Sequence, residues 1–293
     1  MTALSPELRD LIGKALREDI GTGDVTTRAL ILPSQKGKAV VTAKESGVLS
    51  GIKTAAEVFR FRDPSLKIKL HKKSGAGIKK GDKVLTVEGR ITPILEAERT
   101  ALNFLGHLSG ISTLTRRYVD KIRGTQAKIF DTRKTTPLLR ALEKYAVKSG
   151  GGKNHRFGLW DEILVKDNHW RVIASTPSPF PLPLKGERVG VRGKKRRKIP
   201  VEIEVRSLKQ LARVLESPFV PDLILLDNFS VKELERAVNF VHGVRRTRPL
   251  LEASGGIHLD NVRAVAKTGV DRISVGRLTH SAPALDFSME VTK

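Results

Sequence analysis

Phe130-Asp131-Thr132-Arg133-Lys134-Thr135 is the stretch on which the reading of this chain turns. The apolar lead-in, residues 127–130, reads as a short buried strand, and it stops at one acid and two bases. Thr136-Pro137 follows, a Thr cap with Pro at the first helical position. That predicts a helix with Leu138, Leu139, Leu142 and Ala146 on one stripe. Charged groups thus stand where a strand hands over to a helix. In α/β folds that carboxyl-end rim is where ligands bind.

The pattern recurs five times downstream. Ile163-Leu164-Val165 ends in Lys166-Asp167-Asn168-His169, and Val201-Glu202-Ile203 in Glu204-Val205-Arg206. Residues 223–226 end in Asp227-Asn228. Leu250-Leu251 leads into Glu252-Ala253-Ser254-Gly255-Gly256, and residues 272–275 end in Gly276-Arg277. One strand ending in a charge is ordinary; six in series, all polar at the same end, predict a shared site. Helical stripes run between them: Leu208, Leu211, Val214 and Leu215; a Ser230-x-x-Glu233 capping box ahead of Leu234, Ala237, Val238 and Val241; and Leu259, Val262 and Val265, ended by Gly269. Six β/α units imply a parallel sheet with right-handed crossovers. Six is short of the eight of a full barrel, which leaves an incomplete barrel or an open doubly wound sheet.

Upstream, residues 1–105 read as an α+β domain and 106–293 as the catalytic domain. The first carries an amphipathic helix over 6–18, strand-like runs at 38–42, 66–70 and 83–87, and a helix over 54–61. A long helical stretch from Glu96 to Ile122 links the two. Arg99 lies on it beside Glu96 and Glu98, in local terms a solvated helix arginine with i,i+3 partners.

Composition narrows the classes. The chain has 293 residues, 39% apolar and 29% charged, with no cysteine, so disulfides, thiolate metal sites and a Cys nucleophile are excluded. No apolar run approaches a membrane span, residues 1–19 lack a signal-peptide pattern, and a cytoplasmic protein is expected. The net charge of +23 suits either nucleic acid or small polyanions. Residues 176–200 hold eight Lys/Arg against one acid. Pro177, Pro179, Pro181 and Pro183 forbid a helix there, and the stretch is expected to be a mobile insert; its Lys194-Lys195-Arg196-Arg197-Lys198 run would be the patch for nucleic acid. Basic residues also stand on the rim as Arg133, Lys134, Arg156 and Lys166, which favours a small anion for the core.

Ser149-Gly150-Gly151-Gly152-Lys153 fails as a P-loop, because Asn154 follows the Lys and a helix precedes. Ser254-Gly255-Gly256 and Gly276 are better phosphate candidates, after the last two strands. Glu204 and Asp227 are two carboxylates facing one pocket, able to hold Mg²⁺ or accept sugar hydroxyls. The seven histidines make no zinc pairing, and there is no Gly-x-Ser-x-Gly elbow. This rim suits a phosphorylated sugar and a carboxylated co-substrate.

Asp131-Thr132-Arg133-Lys134-Thr135, Gly151-Gly152-Lys153-Asn154-His155-Arg156, Lys166-Asp167-Asn168-His169, Leu226-Asp227-Asn228-Phe229 and Glu252-Ala253-Ser254-Gly255-Gly256-Ile257 resemble the quinolinate phosphoribosyltransferase family, in order, over about residues 19–281. The resemblance implies an N-terminal α/β sandwich followed by an incomplete, six-stranded parallel α/β barrel, with a C-terminal tail that packs back on the N-terminal domain, in a homodimer that shares active sites. It implies a pentosyltransferase of NAD synthesis: quinolinate and phosphoribosyl pyrophosphate give nicotinate mononucleotide, pyrophosphate and CO₂, with Mg²⁺. By that similarity Arg99 (from the partner subunit), Thr132, Arg133, His155, Arg156 and Lys166 bind quinolinate, and Lys134 and Lys166 face the pyrophosphate. Glu204 and Asp227 hold ribose hydroxyls and Mg²⁺, and Ser254, Gly255, Gly256 and Gly276 take the 5′-phosphate. Lys134, Lys166, Glu204 and Asp227 would be catalytic. A same-fold paralogue acting on another anionic substrate is the alternative, and a nucleic-acid-binding protein a more distant one. The departure from the family is residues 175–199, Pro-rich and basic where the family has an Ala/Gly-rich segment and a helix.

Overall fold

The computed structural model describes residues 5–166, 168–169, 172, 199–217, 220–244 and 248–292. The basic Pro-rich stretch expected to be mobile lies outside the described residues, apart from Ile199 and Pro200. In chain order come α1 (Pro6–Ile20), α2 (Val25–Leu30), β1 (Lys36–Ala43), β2 (Gly47–Val48), α3 (Ile52–Arg62), β3 (Lys67–Leu70), β4 (Gly77–Ile78), β5 (Lys83–Arg90) and α4 (Ile91–Lys121). Then follow β6 (Lys128–Phe130), α5 (Arg140–Ser149), β7 (Ile163–Val165), β8 (Val201–Val205), α6 (Leu208–Glu216), β9 (Leu223–Asp227), α7 (Val231–Val244), β10 (Leu250–Ser254), α8 (Val262–Lys267), β11 (Arg272–Ser274), α9 (Arg277–His280) and β12 (Phe287–Thr292).

The chain divides into two compact units. The first takes the residues up to Arg116, Thr135–Gly151, and those from Leu278 on; the boundary expected at residue 105 falls inside α4. Its sheet has the order β12-β1-β5-β3, all antiparallel. Alternation along β1 buries Ala39, Val41 and Ala43 against Ile12 and Leu16 of α1, Phe59 of α3 and Leu105 of α4, while Lys36 and Lys38 stay exposed. The tail strand β12 pairs with β1 from Lys38↔Thr292 to Ala43↔Phe287.

One expected helix starts later than its sequence suggests. Residues 137–139 form a turn, α5 begins at Arg140, and Leu138 has φ +66° and is 81% exposed, so it does not join the buried stripe. A buried carboxylate ties down the segment ahead of it. Thr136 donates its backbone N–H to the Glu143 carboxylate (3.2 Å), which also meets His107 Nε2 at 2.8 Å and is fully buried. The N-cap position falls on Leu139, with no side-chain cap bond.

In the second unit six strands, among the described residues, form one parallel sheet of order β6-β11-β10-β9-β8-β7. That order decides between the two architectures left open. The first strand pairs with the last, Lys128↔Arg272 to Phe130↔Ser274, and the rest follow in sequence without the reversal a doubly wound sheet requires. The sheet is therefore a barrel wall, broken between β6 and β7. Lys153 covers the free edge of β6: its N–H donates to Ile129 O (2.8 Å), and Asp131 N–H donates to Lys153 O (3.1 Å). Every residue of β8 is buried, as are four of five in β9, which parallel strands covered on both faces demand. Ser207 caps α6 by accepting from Gln210 N–H (3.2 Å). The Ser230–Glu233 capping box forms as read: Ser230 N–H donates to Glu233 Oε2 at 2.8 Å, and Glu233 N–H to Ser230 Oγ at 3.3 Å. Among the described residues no helix is long and apolar enough to cross a membrane.

Candidate active site

Because the six strands are parallel, all their carboxyl ends share one edge, and the residues singled out on strand ends share it too. The turn after β6 carries Thr132, Arg133 and Lys134, tightened by a bond from Lys134 N–H to Thr132 Oγ (3.1 Å). Lys166 follows β7, exposed, its N–H on His169 Nδ1 (3.0 Å). Glu204 near the end of β8 and Asp227 at the end of β9 are on neighbouring strands, where Val205 pairs with Leu226. Both meet one cation. Arg206 Nη2 lies 3.5 Å from Glu204 Oε1, and Arg206 Nε lies 3.3 Å from Asp227 Oδ2.

The turns after β9 and β10 lock together. Asn228, at φ +59°, donates its N–H to Ser254 O (2.8 Å) and its amide to Asp227 Oδ2 (2.9 Å). Beside it Gly255 and Gly256 sit at φ +87° and +60°, both in the left-handed region that favours glycine. Asn261 closes this loop, donating to Gly256 O (2.9 Å) and accepting from His258 N–H (2.8 Å). Gly276 follows β11 at the same edge.

Beneath the rim is a group of acids that sequence reasoning did not place. Glu202 and Glu252 are fully buried, and Glu162, just before β7, is 8% exposed. His155 Nε2 lies 3.0 Å from Glu202 Oε2 and 3.3 Å from Glu252 Oε1, with its side chain 7% exposed. Ser274 Oγ donates to Glu252 Oε1, and Arg272 Nη1 lies 3.8 Å from Glu252 Oε2. Since β8 and β10 are separated by β9, and His155 belongs to the segment beyond β6, one ring can touch both acids only if the sheet curls around it. The signal was available in Val201-Glu202-Ile203-Glu204-Val205: period-two alternation puts Glu202 on the face of Glu204, inside the barrel, one layer down.

Burial disfavours a charged His155, but Glu202 and Glu252 outweigh it and push its pKa up to about 10. A second proton would sit on Nδ1, which accepts the Arg156 N–H at 2.7 Å. The acids favour that proton and the hydrogen bond opposes it. They agree on Nε2, which carries a proton in either state. Glu162 is pushed up to about 7 by burial and by Glu202, against His155 and Arg272. Arg156 is buried, donates Nη1 to Glu162 O (3.1 Å), and is held below its usual range by burial and by the charge of Arg133.

Arg99 belongs to the other unit. It is exposed, and its expected partner Glu96 is taken by Arg62 (2.5 Å). Burial raises the pKa of Glu98, and Arg99 opposes that.

Residues 24–109 match the N-terminal-domain model of quinolinate phosphoribosyl transferase, and residues 111–290 match its C-terminal-domain model. The chain belongs to the quinolinate phosphoribosyltransferase family. The carboxylating nicotinate-nucleotide pyrophosphorylase of Mycobacterium leprae is 42% identical over 97% of this chain and 96% of its own length. A probable enzyme of the same name in Bacillus subtilis is 39% identical over 98% and 94%. Among solved structures, NadC from Streptococcus pyogenes superposes with a TM-score of 0.85 at 38% identity, covering 100% of this chain and 99% of that one. The nicotinate-nucleotide pyrophosphorylase of Francisella tularensis does so with a TM-score of 0.84 at 33% identity, over 99% and 98%. The family match spans both units, so the rim and the buried acids beneath it lie within the family's own fold.

Proposed function

We propose that this member of the family transfers the phosphoribosyl group of phosphoribosyl pyrophosphate to quinolinate, with loss of CO₂, giving nicotinate mononucleotide and pyrophosphate in NAD synthesis in the cytoplasm. The observation that carries the reading is the juxtaposition of Arg133 and Arg156. Burial and the charge of Arg133 both disfavour the Arg156 guanidinium. Two cations held together in a half-buried place are relieved by a dianion, and quinolinate carries two carboxylates on adjacent ring carbons.

In this reading Arg133, Arg156 and Lys166, with Thr132 beside them, grip the dicarboxylate, and Lys134 and Lys166 face the pyrophosphate. The Ser254-Gly255-Gly256 turn and Gly276 hold the 5′-phosphate through backbone N–H groups. The quinolinate nitrogen forms its bond to the anomeric carbon as the bond to pyrophosphate breaks. Glu204 and Asp227 stand by to stabilise the positive charge that develops on the ribose. The electron pair left when the carbon–carboxylate bond breaks stays on C2, stabilised by the positive charge of the adjacent ribosylated ring nitrogen, and C2 then takes a proton. Glu204 and Asp227 also suit Mg²⁺: their oxygens converge on one cation, the Arg206 guanidinium, and hard oxygen donors are what Mg²⁺ takes. When bound, Mg²⁺ would neutralise charge on the departing pyrophosphate. We further propose a homodimer in which Arg99 of one protomer serves its partner's site, since it is exposed and its acidic neighbour Glu96 is engaged elsewhere.

The deciding experiment offers quinolinate and nicotinate in turn with phosphoribosyl pyrophosphate and follows CO₂. Release with quinolinate alone, in one-to-one ratio with mononucleotide, is expected. Turnover of nicotinate without CO₂ would overturn the assignment.

A further inference from the structure

The loop that presents Thr132, Arg133 and Lys134 runs from Asp131 to Leu139 and has no strand or helix of its own. Side chains that grip a ligand need a backbone that stays in place, so such a loop has to be held from outside. At its start the fully buried Asp131 carboxylate accepts the His155 backbone N–H (2.9 Å), and Asp131 N–H donates to Lys153 O (3.1 Å). Its far end is strained. Leu138 stands at φ +66° and is 81% exposed, so burial of its own side chain does not compensate for that conformation. Glu143, in the first turn of α5, reaches back to this end. Its Oε2 accepts the Thr136 N–H (3.2 Å), and its Oε1 meets Nε2 of His107 on α4 (2.8 Å). Two further bonds close the turn: Leu139 N–H donates to Thr136 O (3.1 Å), and Arg140 Nε to Thr135 Oγ1 (3.0 Å).

We propose that Glu143 is a positioning residue, which with His107 clasps the loop just beyond Lys134 and so fixes how Arg133 and Lys134 are presented. A fully buried carboxylate is costly to a fold unless its oxygens are bonded. Here one oxygen is committed to the backbone N–H of an exposed loop residue, Thr136. Only Thr135 separates that N–H from Lys134, and a displacement of about 1 Å in a reacting geometry can cost about a hundred-fold in rate. Fastened near each end on a buried carboxylate, the loop can face its ligands without being free to wander.

That the clasped loop serves quinolinate rests on the proposed function, and the test separates the two. Glu143→Ala removes both bonds. Glu143→Gln keeps the reach: its amide oxygen can accept from Thr136, and its NH₂ can donate to a neutral imidazole. Hydrogen exchange followed peptide by peptide should quicken about ten-fold or more over residues 131–139 in Glu143→Ala, and less than about two-fold over residues 254–261, with Glu143→Gln restoring most of the protection. In Glu143→Ala kcat/KM for quinolinate should fall about ten- to a hundred-fold, while ribose 5-phosphate, a probe of the Ser254-Gly255-Gly256 turn, should bind within about two-fold of wild type. His107→Ala leaves Glu143 paired with Thr136 and should move the same readouts the same way by about two- to five-fold; it serves if Glu143→Ala does not fold. Exchange that quickens equally in both segments, exchange unchanged over 131–139, or a Glu143→Gln variant no better than the alanine one would overturn the clasp. Localised exchange in an enzyme that neither binds nor turns over quinolinate would overturn the proposed substrate and leave the clasp standing.

Discussion

Replacing Gly255 with Ala tests the locked turns after β9 and β10. Gly255 stands at φ +87°, where an L-residue costs about 1–2 kcal/mol. A methyl group there would also be built into the Asn228 amide, 2.6 Å from its Cγ and 3.0 Å from its backbone nitrogen. Asn228 cannot swing aside freely. Its amide donates to Asp227 Oδ2 at 2.9 Å and its N–H to Ser254 O at 2.8 Å, and a bond to a charged acceptor contributes about 1.5–3 kcal/mol. Gly255→Ala should therefore cost about 3–5 kcal/mol. Gly256, at φ +60° with nothing within 4 Å of its added methyl, should cost only the backbone strain, about 1–2 kcal/mol. Urea unfolding of the two variants measures the difference directly, and at roughly 2–4 °C per kcal/mol the melting points should separate by about 4–12 °C. Kinetics supply a second readout: Gly255→Ala, by disturbing Asp227, should weaken use of phosphoribosyl pyrophosphate more than Gly256→Ala does. If the two variants agree within about 0.5 kcal/mol, the Asn228 clash is not a constraint and the argument fails.

Asp271 links the amino ends of β10 and β11, accepting from Arg248 at 2.6 and 2.8 Å and from Leu251 N–H at 2.8 Å. Burial raises its pKa, but these donors prevail and hold it below 3.8. Its stabilisation is thus present above pH 3.8 and lost as pH falls through the lowered folded value. Asp271→Asn should cost about 2–3 kcal/mol near pH 7, and the gap from wild type should close in melts taken below pH 4. Arg206→Met frees Glu204 and Asp227 of their resident cation, so half-maximal activity should need less Mg²⁺ in a metal titration; an unchanged requirement would show that Arg206 does not occupy the metal's place. Arg99→Ala should weaken quinolinate use by about 2–4 kcal/mol of transition-state binding with under about 1 kcal/mol of stability lost. Mixed with Lys166→Ala under subunit exchange, it should recover up to about a quarter of wild-type activity in a two-fold dimer; confirmed exchange without recovery would place Arg99 outside the partner's site.

The barrel could be read from the chain because buried parallel strands are short apolar runs and their carboxyl ends announce themselves by charge, as at Phe130-Asp131 and Leu226-Asp227. Strand order could not, because nothing in a run of six β/α units states which two strands meet; the pairing of Lys128 with Arg272 is a tertiary fact. Leu138 misled because its apolar spacing fits a helix, while the turn at 137–139 holds it at a positive φ, with Thr136 tied to the buried Glu143 carboxylate. The rim acids were evident as strand termini. Glu202 and Glu252 were passed over as ordinary strand residues, although the two-residue spacing to Glu204 and to Ser254 already assigned them to the inner face. His155 was matched to a substrate by family resemblance, and its buried neighbours Glu202 and Glu252 were not foreseen.

The pairing of β12 with β1 joins Lys38 to Thr292 across 254 residues. On the ribosome, β1 and β5 emerge early, yet the strand that covers the outer edge of β1 is made only after the whole of the other unit. Through most of synthesis β1 is a bare edge able to recruit strands from neighbouring nascent chains. The nested barrel unit, whose pieces run from Arg117 to Arg277, is free to finish first. A long-range closure of this kind makes folding slow. The chain should lean on chaperones during translation, and deletion of residues 287–292 should yield aggregates whose barrel unit is already folded.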